Sequence, residues 1–357
     1  TMNKVISRAL LVSGIAVGIG FCGLLVKTGS LLAKGVMNDN RFFVAMVTDG
    51  GGINDQSFQE SSWKGLKAFS EETGSRVGYV ECQQASDYPI NLDKLADENA
   101  DLVWGIGYKL ADPIKLAANI NPEINYAIAD FSFGSRTPDN VTCAIFRSEE
   151  SSFLVGYIAA MTTKVNRVGF IGGMKSVVID QFEYGYRAGV AYASKKLGKN
   201  IDVKIQYAES FTDSAKGKAI AIKMFDECDV IFHAAGGAGV GIIEAAKEKG
   251  SYAIGCDMDQ SSLAPKNVLT SSIKDVGKAV KTVSTSLKNG EKIGGKTFSY
   301  GIKEDCVGIP QENPNVPEDV KNAVKAVEEK VRSGEIIPPG TSASYEEFIK
   351  SLPNLKV

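Results

Sequence analysis

Residues 42–74 read FFVAMVTDGGGINDQSFQESSWKGLKAFSEETG, an apolar run, a glycine-rich polar turn and an amphipathic stretch in direct succession. The unbroken apolar side chains of 42–47 predict a strand buried on both faces, and Asp49 with Gly50, Gly51 and Gly52 predicts the tight loop that ends it. Ser57 then opens a segment in which Phe58, Leu66 and Phe69 fall at helical spacing, and Gly74 predicts its end. A buried strand followed by a helix is the building unit of a parallel α/β sheet.

The rhythm recurs along the chain. Strands are expected at 77–81, 102–105, 126–130, 168–171, 203–207, 230–234 and 252–257, with helices at 90–98, 114–120, 179–196, 215–228 and 241–249. The series is long enough for two doubly wound parallel-sheet lobes, with a break near 146–150, where VTCAIF runs into the apolar helix of RSEESSFLVGYIAAMTT. A strand at 268–273 and a helix at 276–287 follow. The strand-like pieces at 298–303 and 306–309 and the polar helix at 317–333 are too few for a third domain, so they are expected to return and complete the first two. The expected organisation is a leader over 1–40, one lobe from 41–146 plus about 274–300, a second from 147–273 plus about 301–340, and a surface tail over 341–357. Three crossings between lobes place a cleft at the carboxyl ends of the sheets, where open α/β sheets bind ligands.

The chain has 357 residues, 44% of them hydrophobic and 23% charged, which is ordinary globular composition. Forty Lys and Arg against 42 Asp and Glu give a net charge of −2, which argues against a nucleic-acid partner. The first 40 residues are basic, with Lys4, Arg8, Lys27 and Lys34 against Asp39 alone. Residues 9–26 carry no charge, so the leader reads as a signal peptide or a short membrane anchor. Cys22 in that run is a candidate for lipid modification, with an uncleaved anchor as the alternative. Either way the body is expected on the extracytoplasmic side of a cell membrane. The other cysteines (Cys82, Cys143, Cys228, Cys256 and Cys306) form no CxxC pair and have no neighbouring histidine cluster, so no metal or other cofactor is expected, and they read as buried thiols.

Acids and amides gather at strand ends: Asp49, Asn54 and Asp55 after the first strand, Asp130 after the fourth, and Asp257 and Asp259 in CDMDQ. Each alone reads as a cap or turn residue, but parallel strand ends converge on one rim, so the set predicts ligand contact for Asp49, Asp130 and Asp257. Gly236, Gly237, Gly239 and Gly241 follow a strand and precede a helix. They lack the GxGxxG order, and predict the wall of a pocket for an uncharged ligand rather than a phosphate site. His233, the one histidine, sits in the apolar VIFHAA and reads as structural. GxSxG and HExxH are absent. A metal-dependent nucleoside hydrolase remains as an enzyme reading on acids alone, although the first loop lacks an adjacent aspartate pair.

Eight segments in order resemble the basic membrane protein family of bacterial substrate-binding lipoproteins, which includes the purine nucleoside receptors of ABC transporters. They are MVTDGGGINDQSFQESSWKG (46–65), RSEESSFLVGYIAA (147–160), VGFIGGM (168–174), AESFTDSAKGK (208–218), AAGGAGVGIIEAAKE (234–248), AIGCDMDQ (253–260), LTSSIKD (269–275) and KEDCVGIPQENPN (303–315). The resemblance implies a type I periplasmic-binding fold, two lobes hinged about a cleft, and a receptor that is no enzyme and delivers its ligand to an ABC transporter permease. It implies a purine nucleoside such as adenosine, guanosine or inosine, with Phe58 and Phe211 stacking on the base. Asp49, Asn54, Asp130, Gly237, Asp257 and Lys274 would make the polar contacts, Asp257 and Lys274 as a neutralising pair over the ribose diol. Taken alone, Phe58 and Phe211 also read as helix staples. A sugar or other small polar metabolite is the alternative ligand, and a membrane-anchored regulatory or adhesive protein an alternative role.

Overall fold

The structure, a computed structural model, describes residues 39–354. The leader expectations, Cys22 among them, lie outside the described residues apart from Asp39 and Asn40. Arg41–Val357 forms one unit. Its first part runs β1 (Phe43–Thr48), α1 (Phe58–Thr73), β2 (Arg76–Val80), α2 (Asp87–Asp97), β3 (Leu102–Ile106), α3 (Ala111–Ile120), β4 (Asn125–Ala129) and β5 (Val141–Phe146). The chain continues through α4 (Ser148–Thr162), β6 (Arg167–Gly172), α5 (Val177–Leu197), β7 (Asp202–Tyr207), α6 (Ser214–Met224), β8 (Val230–Ala234), α7 (Ala238–Lys249), β9 (Tyr252–Asp257) and β10 (Val268–Lys274). It closes with α8 (Val276–Lys288), β11 (Thr297–Tyr300), β12 (Val307–Gly308), α9 (Glu318–Ser333) and α10 (Ser342–Ser351).

Two six-stranded sheets result, ordered β11-β5-β4-β3-β1-β2 and β12-β10-β9-β8-β6-β7. The five inner-series strands of each sheet follow the same doubly wound order and pair in parallel. The sixth strands differ: β11 joins β5 in parallel, whereas β12 runs antiparallel to β10. The chain therefore passes between the sheets after β5, after β10 and after β11. This is the two-lobed, hinged α/β architecture of type I periplasmic-binding proteins, with the two sheets' carboxyl ends facing one cleft.

Burial explains why the strands are so apolar. Every residue of β1 is buried, and its side chains alternate between two cores: Phe43, Ala45 and Val47 pack with α2 and α3, while Val44 and Met46 pack with α1 and α8. The second sheet is covered in the same way, Val168 and Phe170 of β6 facing α4, α5 and α9, and Ile171 facing α6 and α7. Residues 342–351 of the expected tail form α10, started by a capping box between Thr341 and Ser344 and held by Phe348 edge-on to Phe153, with ring centroids 5.8 Å apart. The five cysteines at 82, 143, 228, 256 and 306 are buried free thiols. Among the described residues no helix is long and apolar enough to cross a membrane.

Helix α1 carries Phe58 at its first turn, so its seating against α8 fixes one wall of the cleft. The two helices touch backbone to backbone at Gly65 and Gly277, where a Cβ on Gly65 would collide with the Gly277 carbonyl. Gly65→Ala is expected to overpack this crossing and destabilise the fold by about 1–3 kcal/mol, read as a lower urea midpoint. An unchanged midpoint would mean that the crossing relaxes freely.

Candidate cleft site

A cleft pocket with about 600 Å³ of space between its walls, open solvent included, lies where the two sheets' carboxyl ends meet. Of the residues expected from sequence, Asp49, Phe58, Asp130, Phe211, Asp257 and Lys274 line it together; Asn54 and Gly237 do not. Asn54 is exposed, and its neighbour Asp55 takes the inward place. The Asp55 carboxylate accepts backbone N–H bonds from Ser57, Gln59 and Glu60 at 2.9, 2.9 and 3.0 Å, so the start of α1 turns this side chain in and the preceding one out. At the second glycine-rich turn Gly236, held at φ 55°, lines the cavity, while Gly237 sits one residue behind it at the start of α7. Gly239 and Gly241 serve packing instead, against the His233 ring and the Ser214 carbonyl.

Lys274 ends β10 with its side chain 2% exposed, and its Nζ lies 2.6 Å from Asp130 Oδ2, on the other lobe. The ammonium is also ringed by Phe58, Phe146 and Phe182, at 5.0, 5.1 and 5.5 Å from their centroids. The expected direct pairing of Lys274 with Asp257 is thus replaced by an ion pair with Asp130. Asp257 instead accepts a hydrogen bond from Ser57 Oγ across the cleft. Burial comes first among the causes that push Asp257 up to about 6; the Lys274 charge and the Ser57 hydroxyl oppose it. Asp49 also rises to about 6, again by burial, opposed by Lys109.

Sequence reasoning missed Gln59, Tyr108, Ile179 and Phe182. Gln59 Nε2 donates to Asp49 Oδ1 at 2.9 Å and to the Ile106 carbonyl at 3.2 Å, which leaves Oε1 buried without a hydrogen-bond partner. Ile179 and Phe182 sit on the apolar face of α5 and carry no sign in sequence that separates cavity wall from core. Tyr108 follows Gly107 directly after β3, a strand-end position of the same kind that marked the aspartates. Phe211 packs closely on the Gly173 backbone, where a Cβ would collide with its ring, and its carbonyl accepts the Ala238 N–H at 3.2 Å.

The chemistry is that of an aromatic-walled, acceptor-rich cavity. Asp49, Asp55, Asp130 and Asp257 face a single lining ammonium, Lys274. Among the described residues no group of His, Cys, Asp and Glu could hold a metal ion.

The family model described as ABC transporter substrate-binding protein PnrA-like matches residues 42–341. Basic membrane protein A of Borreliella burgdorferi is 39% identical over 354 residues, 98% of this chain and 99% of its own. The CD4+ T-cell-stimulating antigen of Listeria monocytogenes is 38% identical over 320 residues, 84% of this chain and 88% of its own. In structure the chain is similar to an ABC transporter solute-binding protein from Aeropyrum pernix K1, with a TM-score of 0.77 and 26% identity, covering 88% of this chain and 98% of that one.

Asp49 binds its proton more tightly in the fold, at about 6, than at the ordinary 3.8. The stability this confers is complete below about pH 4 and is lost as pH rises through about 6. Asp49→Asn, which keeps an acceptor for Gln59 and cannot ionise, is expected to gain on the wild type by about 2–3 kcal/mol between pH 4 and pH 7. Urea midpoints of the two proteins across that range check this; parallel curves would show that Asp49 is not held protonated.

Proposed function

We propose that this chain, which belongs to the PnrA-like family of ABC transporter substrate-binding proteins, is an extracytoplasmic receptor that closes on an uncharged purine nucleoside. It hands the nucleoside to a membrane permease without chemical turnover, and its N-terminal segment holds it at the membrane. The observation that carries this reading is the lining of the cleft. Two aromatic rings, Phe58 from one lobe and Phe211 from the other, share one cavity with four carboxylates and one ammonium.

A flat heteroaromatic base gains from stacking on such rings. Its sugar hydroxyls and ring N–H groups are donors, which is what ionised Asp49 and Asp257 and the unpartnered Gln59 Oε1 accept. Lys274 supplies the donor for a base or ribose oxygen, with Asp130 holding it in place. In this reading Asn54 and Gly237 support the loops behind the ligand rather than touch it. A nucleotide phosphate would enter a desolvated site where carboxylates outnumber ammonium groups, so repulsion would exclude it.

Mass spectrometry of small molecules released by denaturing the purified protein tests the ligand class. Calorimetry against adenosine, guanosine, inosine, their monophosphates and a set of sugars then ranks affinities. Tight binding of a sugar, or equal affinity for a nucleoside and its monophosphate, would sink the proposal.

Phe211→Ala is expected to weaken nucleoside binding by about tenfold to a hundredfold, the worth of one base–aromatic stack, with the urea midpoint little changed. A variant that unfolds while its folded fraction binds normally would make Phe211 a core residue. Asp257→Ala is expected to cost at least about tenfold for ribonucleosides, since hydrogen bonds to charged groups contribute about 1.5–3 kcal/mol. Because this change also removes the Ser57 contact, the informative comparison is with 2′-deoxynucleosides, for which the loss should be smaller. Equal losses would place the 2′-hydroxyl elsewhere.

A further inference from the structure

The sequence CDMDQ ends in Gln260, which is 2% exposed and does not line the cavity. Its side chain nevertheless spans the cleft, Nε2 donating to the Gln56 carbonyl on the opposite lobe at 2.8 Å. The amide is not free to turn. Oε1 accepts the Cys256 N–H at 2.9 Å and lies 2.8 Å from His233 Nε2, while the Gln260 backbone N–H donates to Ser271 Oγ at 3.1 Å.

His233 fixes which end of the amide faces the other lobe. Its Nδ1 accepts the Ala235 N–H at 3.4 Å, so the ring proton sits on Nε2 and donates to Gln260 Oε1. Burial lowers His233 to about 4, which keeps the ring in this neutral form at ordinary pH. The start of α7 is built around the ring, since a Cβ on Gly239 would collide with it. On the opposite lobe Gln56 is held at φ 58°, a left-handed conformation that is strained in a residue with a side chain. That conformation accompanies a carbonyl aimed at Gln260.

We propose that Gln260, oriented by His233, is an interlobe latch: a positioning residue that sets how long the cleft stays closed without touching what the cleft holds. Opening breaks the Gln260–Gln56 bond, and its amide must then be solvated on both sides before the lobes part. The latch acts on the closed state alone, so it governs escape of the ligand and not its entry. The ligand-bound part of the test rests on the nucleoside reading; the ligand-free part does not.

Gln260→Glu in the full-length chain separates the two halves of the arrangement. An ionised carboxylate keeps both acceptor contacts but presents the Gln56 carbonyl with an oxygen in place of the donor, so the interlobe bond is lost and the two oxygens repel. In the ligand-free protein, amide hydrogen exchange over residues 53–61 is expected to rise severalfold, with β3 and β4 unchanged. With guanosine as the probe, dissociation is expected to quicken by about fivefold to tenfold, the worth of one neutral hydrogen bond. Association and the rank order of nucleosides should stay as in the wild type.

Wild-type exchange and wild-type dissociation would overturn the latch, as would an altered rank order, which would mean direct contact with the ligand. If guanosine does not bind the wild type, adenosine and inosine replace it as probes; if none of the three binds, the nucleoside reading fails while hydrogen exchange still decides the latch. If Gln260→Glu does not fold, His233→Phe removes the donor that orients the amide, together with the acceptor of the Ala235 N–H. The same quickening, smaller in size, is then expected.

Discussion

The buried contact between Lys274 and Asp130 joins the last residue of β10 in one lobe to the residue after β4 in the other. Stripping water from an ammonium and a carboxylate costs several kcal/mol for each ion, and only close geometry with further partners offsets it. The partners here are aromatic faces, three of them within 5.5 Å of the ammonium. Lose either ion and the other is left buried without compensation. With the cleft closed, this corner is therefore electrostatically tolerable only while the two ions stay paired.

The two sheets repeat one plan, and the cleft inherits its symmetry. Asp130 follows the fourth strand of the first sheet, and Asp257 ends the fourth strand of the second. Both adopt left-handed backbone, at φ 66° and 67°, a conformation that aspartate tolerates better than most residues. Equivalent turns thus deliver equivalent carboxylates from opposite sides. Their surroundings then separate them: Asp130 meets an ammonium, while Asp257 meets a hydroxyl and is pushed up by burial. One fold position supplies two different chemical groups because the lobes differ in what faces it.

Most strands were legible because burial on both faces leaves only apolar residues to choose from, as β1 shows along its whole length. Strand-end aspartates were legible for a topological reason, since parallel strands deliver their carboxyl ends to one rim. What local pattern did not carry was partnership between distant segments. Pieces near 298 and 307 read as strands, expected in the first and the second lobe, but nothing local shows that β11 joins β5 in parallel while β12 runs antiparallel to β10. Lys274 was expected beside Asp257, its neighbour in the same sheet, and its partner came from the other lobe. The choice between Asn54 and Asp55 turned on which side chain the first N–H groups of α1 capture. Helix α10 was missed although Tyr345, Phe348 and Ile349 stand at helical spacing, because the prolines of IIPPG just before it read as a tail wrapping the surface.

Closure and selectivity are one electrostatic problem in this cleft. Bringing the lobes together gathers Asp49, Asp55, Asp130 and Asp257 around a single lining ammonium, and removes the water that would screen them. Three of the four already have partial answers within the protein: backbone N–H groups at Asp55, Lys274 at Asp130 and Ser57 at Asp257. Asp49 has the amide of Gln59 and the more distant charge of Lys109, and burial still holds it near 6. The residual need is for hydrogen-bond donors without negative charge. A ligand that brings hydroxyl or N–H groups lowers the cost of closing, whereas one that brings a phosphate raises it. In the proposed reading, the carboxylates that make the empty cleft costly to close favour a neutral, donor-rich ligand, whose hydrogen bonds offset the cost that an anion would add to.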